Sequence, residues 1–227
     1  MRVLVIAPHP DDEVLGVGGT IARLGHEGHD IFVAIVTRGD PSMFDPAFTE
    51  QGRQEALQAH RILGVRDTIF LDGYPAALLD TIPHSQLNAA LGKLFCDVKP
   101  AILFLPFNGD LHRDHRLVFE SALVAARPHG GSQVQTIYAY ETLSETNWNA
   151  APLTPGFLPN TYFDISAFLE VKLASMQTYQ SQLKPFPHER SLEAIQALAT
   201  LRGATVGVEA AEAFVLVRSV HLHQGAG

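Results

Sequence analysis

Short unbroken apolar runs, each followed by a stretch of helical periodicity, recur from the N-terminus to Tyr140 and constrain the fold more than any other feature. Residues 2–7, 31–37, 68–71, 101–105 and 135–140 read as strands, with helices between them at 13–28, 50–63, 85–98 and 115–126. A strand with no polar alternation is buried on both faces, and strands linked by helices lie parallel. The pattern therefore predicts an α/β fold with a doubly wound, Rossmann-like, mostly parallel sheet and helices on both faces. Beyond Tyr140 the periodicity fades, and 141–160, with Pro152, Pro155 and Pro159, reads as loop. Helices are expected at 167–183 and 192–202, a last strand at 213–220 and a frayed tail at 222–227. We read 1–227 as a single domain, with its core in 1–140 and a rim loop and C-terminal helices in 141–220.

The 227 residues are 46% hydrophobic, enough for a sizeable core, and their net charge is −8. An acidic surface repels phosphate backbones, so nucleic acid is a poor partner. No run approaches the roughly 18 apolar residues that span a bilayer, and the N-terminal apolar run is too short for a signal peptide. The expectation is a cytoplasmic protein without membrane association. The single cysteine, Cys96, excludes an intramolecular disulfide and reads as a buried thiol.

Two polar clusters each follow a buried strand directly: Pro8-His9-Pro10-Asp11-Asp12-Glu13 after the first, Asp110-Leu111-His112-Arg113-Asp114-His115 after the fourth. In the strand order 3-2-1-4-5 these strands are neighbours, and ligands bind where the order reverses. The clusters should therefore meet. Imidazole and carboxylate together suit a three-ligand zinc site with an open position, and adjacent acids repel unless a cation lies near. The alternative makes the acids helix caps, Asp11 or Asp12 on one helix and Asp114 on the other. A dinucleotide fingerprint fails. Its third glycine position is Ile21, and Asp11, Asp12 and Glu13 precede Gly16, Gly18 and Gly19 where a pyrophosphate would lie. Gly18 and Gly19 instead suit close helix–sheet packing.

The run from Ala7 to Glu13, followed by Leu15-Gly16 and Gly18-Gly19-Thr20, resembles the N-terminal signature of the LmbE/PIG-L deacetylases. His112-Arg113-Asp114-His115 resembles their H-x-D-H signature, and weaker matches run to Phe214. The resemblance implies zinc ligands His9, Asp12 and His115, with Fe²⁺ competing for the site. It implies Asp11 as general base, a protonated His112 steadying the oxyanion, and Asp114 orienting the His112 imidazole. The implied reaction is removal of an N-acetyl group from an N-acetylglucosamine-like small molecule, and homo-oligomers are expected by analogy. Two rivals are an amidase acting on a larger sugar-thiol conjugate or acylated antibiotic, and a catalytically silent sugar- or metal-binding protein. Many relatives carry a P-D-G segment after strand three whose Asp contacts substrate. Here that Asp falls at Ala76 or Pro75, and Asp72 or Asp80 could take its place.

Arg53 is the candidate substrate contact, because its helix follows the strand-two loop at the active rim. The rival reading is a surface ion pair. Loops 39–49, 73–80 and 141–148 are expected to form a polar rim. His26, His29 and His60 read as solvated, Trp148 as loop packing, and Glu141 as either a rim or a structural residue.

Overall fold

The computed structural model describes residues 1–128, 134–150 and 152–221. Strands β1 (Arg2–Ala7), β2 (Asp30–Ile35), β3 (Asp67–Phe70), β4 (Ile102–Pro106) and β5 (Thr136–Tyr140) pair in parallel. The strands β6 (Thr161–Asp164) and β7 (Ala211–Ser219) complete the sheet in antiparallel pairing. The order is β3-β2-β1-β4-β5-β7-β6. The helices are α1 (Asp12–His26), α2 (Pro46–Leu63), α3 (His84–Val98), α4 (Arg113–Ala125), α5 (Leu169–Met176) and α6 (Leu192–Val206).

Side chains of β1 alternate between two cores. Val3, Val5 and Ala7 pack with Val17 and Ile21 of α1 and Ala59 and Leu63 of α2. Leu4 and Ile6 pack with Leu91 and Phe95 of α3 and Val118 and Ala122 of α4. Each fully buried aliphatic side chain contributes about 1.5–3 kcal/mol, which explains why polar alternation is missing from the strand. Glycines set the closeness of α1. A Cβ on Gly16 would come 2.2 Å from the Tyr140 ring, and one on Gly19 2.7 Å from Ile165. The tight pair is thus Gly16 and Gly19, whereas a Cβ on Gly18 would meet its neighbours only at 3.2 Å.

Three elements differ from expectation. Strand β6 begins two residues after Pro159 and is only Thr161–Asp164, too short to show a period. Helix α5 stops at Met176 because the following turns carry Tyr179 inward to Glu13 and Ser181 to Glu55. Cys96 is exposed, since α3 turns Leu94, Phe95 and Val98 to the core instead. Residues 222–227, His129 and His223 lie outside the described residues. Among those described, no helix is long and apolar enough to cross a membrane.

A buried ion pair binds backbone groups in the middle of α1. Lys172 Nζ donates to Leu15 O at 2.8 Å and to Glu212 Oε1 at 2.5 Å. The Glu212 carboxylate in turn accepts from the Gly19 and Thr20 amides at 2.9 and 2.7 Å. The Leu15 carbonyl and both amides thereby find partners outside the helix.

Candidate metal centre

The strand order reverses between the parallel neighbours β1 and β4, so the chain segments leaving their carboxyl ends converge. One ligand atom each from His9, Asp12 and His115 lies within 4.8 Å of the others. Asp12 Oδ2 is 3.2 Å from His9 Nδ1 and 3.2 Å from His115 Nε2. Asp12 also accepts the His9 amide at 2.9 Å, which folds its carboxylate back over the strand end.

The chemistry of these donors fits a divalent cation. His115 Nδ1 lies 2.8 Å from Asp110 Oδ2. That contact assigns the proton to Nδ1, and Nε2 faces Asp12. Nε2 is buried without a hydrogen-bond partner among the described residues. A lone pair aimed at a carboxylate needs a proton or a metal between them. Burial opposes charge on His115, but Asp12 and Asp110 outweigh it and hold the pKa at about 10. For His9, burial is likewise outweighed by Asp114 and Asp12, giving about 9. Burial also opposes the Asp12 charge, and the two imidazoles hold its pKa well below the ordinary value. The carboxylates around the two rings thus call for positive charge at this point, which one divalent ion would supply.

The capping alternative fails on geometry. Asp11 stands at the α1 N-cap but makes no side-chain cap hydrogen bond. The α4 cap is His112, whose Nδ1 accepts the Asp114 amide at 3.2 Å. Both aspartates are therefore spared for the site. Asp11 adopts a φ of 106°. That is a strained conformation for a side chain with a Cβ, and such strain clusters at functional sites. Its Oδ2 accepts from Arg190 Nη1 at 3.0 Å. Burial raises the Asp11 pKa most, Arg190 lowers it, Asp12 and Glu13 raise it again, and the value settles at about 8.

Two details depart from the sequence reading. The Asp114 carboxylate meets His9 Nε2 at 3.1 Å and the Ala77 amide at 2.8 Å, while His112 Nδ1 is 3.9 Å away. Asp114 thus steadies His9 with its side chain and His112 only with its backbone. His112 is held neutral, its pKa lowered to about 4 by burial and by His9. With Nδ1 accepting, the neutral ring keeps its proton on Nε2.

Glu13, the third acid of the cluster, turns away from the metal donors. It accepts from Tyr179 Oη and the Asp11 amide, and lies 3.1 Å from His60 Nε2. His60 is consequently buried rather than solvated, because α2 packs its inner face on α1. Glu141 binds Arg202 through both oxygens at 2.8 and 2.6 Å, a structural role. Trp148 is 61% exposed and donates Nε1–H to Glu189, so it is not packed as expected.

A cavity of about 350 Å³ opens beside the donors and reaches Asp11, His112, Arg53 and Arg190. Arg53 both pairs with Asp72 at 2.7 Å and stacks 4.1 Å over the Phe70 ring. The expected polar rim is only partly polar. Loop 39–49 contributes Phe44 and Phe48, and the next loop Ala76 and Ala77. Ala77 has a φ of 61°. The glycine of a P-D-G segment would sit at that position, and its Asp at Ala76. Sequence reasoning assigned no role to Asp110, Glu145 or Arg190. Asp110 sat in view five residues before His115, a spacing that already permits a contact across the loop into α4. Arg190 arrives from a distant loop that carries no pattern.

The PIG-L family profile, described as GlcNAc-PI de-N-acetylase, matches residues 4–126. "Uncharacterized deacetylase YaiS" of Escherichia coli K12 is 30% identical over 188 residues, covering 79% of this chain and 90% of that protein. Diacetylchitobiose deacetylase of Thermococcus kodakarensis is 27% identical over 233 residues, covering 98% and 85%. Among solved structures, the conserved protein TT1542 of Thermus thermophilus superposes with a TM-score of 0.78 at 29% identity, covering 99% of this chain and 98% of that one.

Proposed function

This chain belongs to the PIG-L family, and from that premise we propose that it is a zinc-dependent hydrolase that removes the N-acetyl group from an N-acetylglucosamine-type sugar or sugar conjugate. The observation that carries the reading is the meeting of His9, Asp12 and His115 beside the Asp11 carboxyl and the His112 ring. Asp12 and the two imidazoles would hold the ion. When bound, zinc supplies positive charge that polarises an amide carbonyl and acidifies water to near neutrality.

The protein's own groups perform the rest. Asp11, lining the cavity and braced by Arg190, accepts a proton from the attacking water and returns it to the departing amine. Burial pushes its pKa above the ordinary carboxylate range, which suits a group that must give back the proton it takes. Neutral His112 donates Nε2–H to the carbonyl oxygen as charge accumulates there. Asp114 and Asp110 aim the His9 and His115 rings by accepting from the nitrogen that faces away from Asp12. Arg53 contributes to substrate binding by bracing the cavity wall, where it pairs with Asp72 and covers Phe70. A silent binding protein would need neither a base nor an oxyanion donor.

We read 1–227 as one catalytic unit, because the site draws on residues from His9 to Arg190. Its partner is a small N-acetylated molecule rather than a polyanion, in keeping with a net charge of −8. The test is acetate release from N-acetylglucosaminides by protein loaded with Zn²⁺ or, in a parallel sample, Fe²⁺. Acetate from the zinc form supports the reading. Cleavage of a bulky amide with no acetate from any sugar would establish the amidase instead.

A further inference from the structure

The cavity beside the metal donors is lined by two chemically different groups of residues. One includes the catalytic groups Asp11 and His112. The other comes from elements on the β2–β3 side of the sheet, which present Phe44, Phe48, Phe70 and Ala76. Phe48, in the first turn of α2, is 42% exposed and stands at the mouth. Phe44 is seated over Gly39, where a Cβ would come 3.1 Å from its own Cβ, so the loop is shaped around the ring.

Polar groups that could greet sugar hydroxyls on this wall are engaged within the protein. Thr37 Oγ1 donates to Pro8 O at 2.8 Å and Thr49 Oγ1 to Asp45 O at 3.3 Å, Arg53 is held by Asp72 over the Phe70 ring, and Arg38 stands 3.7 Å from the same Asp72. Gln182 Oε1 accepts from Arg190 at 3.1 Å. At Ala76, where the P-D-G pattern would set a carboxylate into the cavity, only a methyl group stands.

We propose that this wall is a subsite for an apolar aglycone, an aryl or alkyl group on the anomeric carbon of the N-acetylated sugar. The proposal rests on the deacetylase reading and names its substrate more closely. An acetyl carbonyl held beside Asp11 and His112 brings the rest of the sugar and its aglycone against the aromatic lining of the same cavity. A polar aglycone there would lose water without gaining partners, whereas an apolar ring is favoured by leaving water. Pockets of this size are ordinarily apolar with a few placed polar groups.

The experiment compares kcat/KM for acetate release from the methyl and phenyl glycosides of N-acetylglucosamine, using the zinc-loaded full chain. Burial of a phenyl ring predicts a preference for the phenyl glycoside of roughly tenfold or more. In Phe48→Ser and Phe44→Ser the phenyl-to-methyl ratio should fall severalfold. Ala76→Asp, which brings a hydrated carboxylate to the wall, should lower it independently. Phe48 is exposed enough that its replacement leaves the fold intact, which a thermal melt verifies. A wild-type ratio within twofold of one, with the methyl glycoside turned over, overturns the subsite and leaves the deacetylase standing. A tenfold gain from lengthening the N-acyl chain, with none from the phenyl group, assigns the wall to the acyl group and also overturns it. Absence of acetate from both glycosides overturns the deacetylase reading and the subsite with it.

Discussion

Replacement of Asp110 by Asn should weaken metal binding about tenfold without touching a metal donor. Asp110 Oδ2 lies 2.8 Å from His115 Nδ1, and Oδ1 accepts from Thr146 Oγ1 at 2.6 Å. Both Asp110 and His115 are fully buried, so water cannot take over either contact. The carboxylate does two things for His115: it fixes the proton on Nδ1, and it makes Nε2 a stronger donor. Asn keeps an acceptor for Nδ1–H but loses the charge and turns an NH2 donor toward the Thr146 hydroxyl. Outer partners of metal-bound imidazoles are typically worth about 10–100-fold in affinity. Loss of charge alone belongs at the lower end, about 1.4 kcal/mol. Asp110→Ala removes the acceptor as well and strands the Thr146 hydroxyl and Nδ1–H. We expect a loss toward about 100-fold, together with about 1–3 kcal/mol of stability in the metal-free protein. Competition for Zn²⁺ against a chromogenic chelator measures the affinities, and denaturant unfolding of the metal-free forms separates the stability component. An Asp110→Asn affinity within twofold of wild type would refute the reasoning, because His115 would then be aimed by something else or would not hold the metal.

Asp11→Asn should retain the metal yet lose roughly 10²–10⁴ in kcat, the usual worth of a positioned base, and His112→Ala about 10²–10³. Metal analysis beside turnover checks both, and loss of zinc in Asp11→Asn would mean that Asp11 and Asp12 exchange roles. Arg190→Ala frees the Asp11 carboxylate that its Nη1 now holds at 3.0 Å. Its kcat should fall about tenfold with KM little changed, in part recoverable by added guanidine; a KM effect alone would instead make Arg190 a substrate contact. Lys172→Met leaves the buried Glu212 carboxylate with only the Gly19 and Thr20 amides. It should cost about 3–5 kcal/mol, read as a lowered Cm, and a change under about 1 kcal/mol would show the pair to be dispensable.

Much of this protein was legible in its sequence because parallel strands buried on both faces leave a local signature. The unbroken runs Val3–Ile6 and Leu103–Leu105 read as β1 and β4, and the common doubly wound strand order 3-2-1-4-5 makes them neighbours. From that follows the meeting of the two polar clusters that leave these strands, while the choice of His9, Asp12 and His115 within them comes from the resemblance to the PIG-L family. Local pattern did not reveal which carboxylate faces which ring. That Asp114 reaches His9 rather than His112 depends on the loop carrying Ala77 crossing to α4, a contact 37 residues apart in the chain. The buried state of His60, the early end of α5 and the place of Arg190 share the same cause. Each is decided by a partner far along the chain, Glu13 or Asp11, whose desolvated carboxylate must be satisfied by whatever donor the fold brings near. Hydrophobic periodicity encodes which face of an element is buried. Only tertiary packing decides which polar group answers another across the interior.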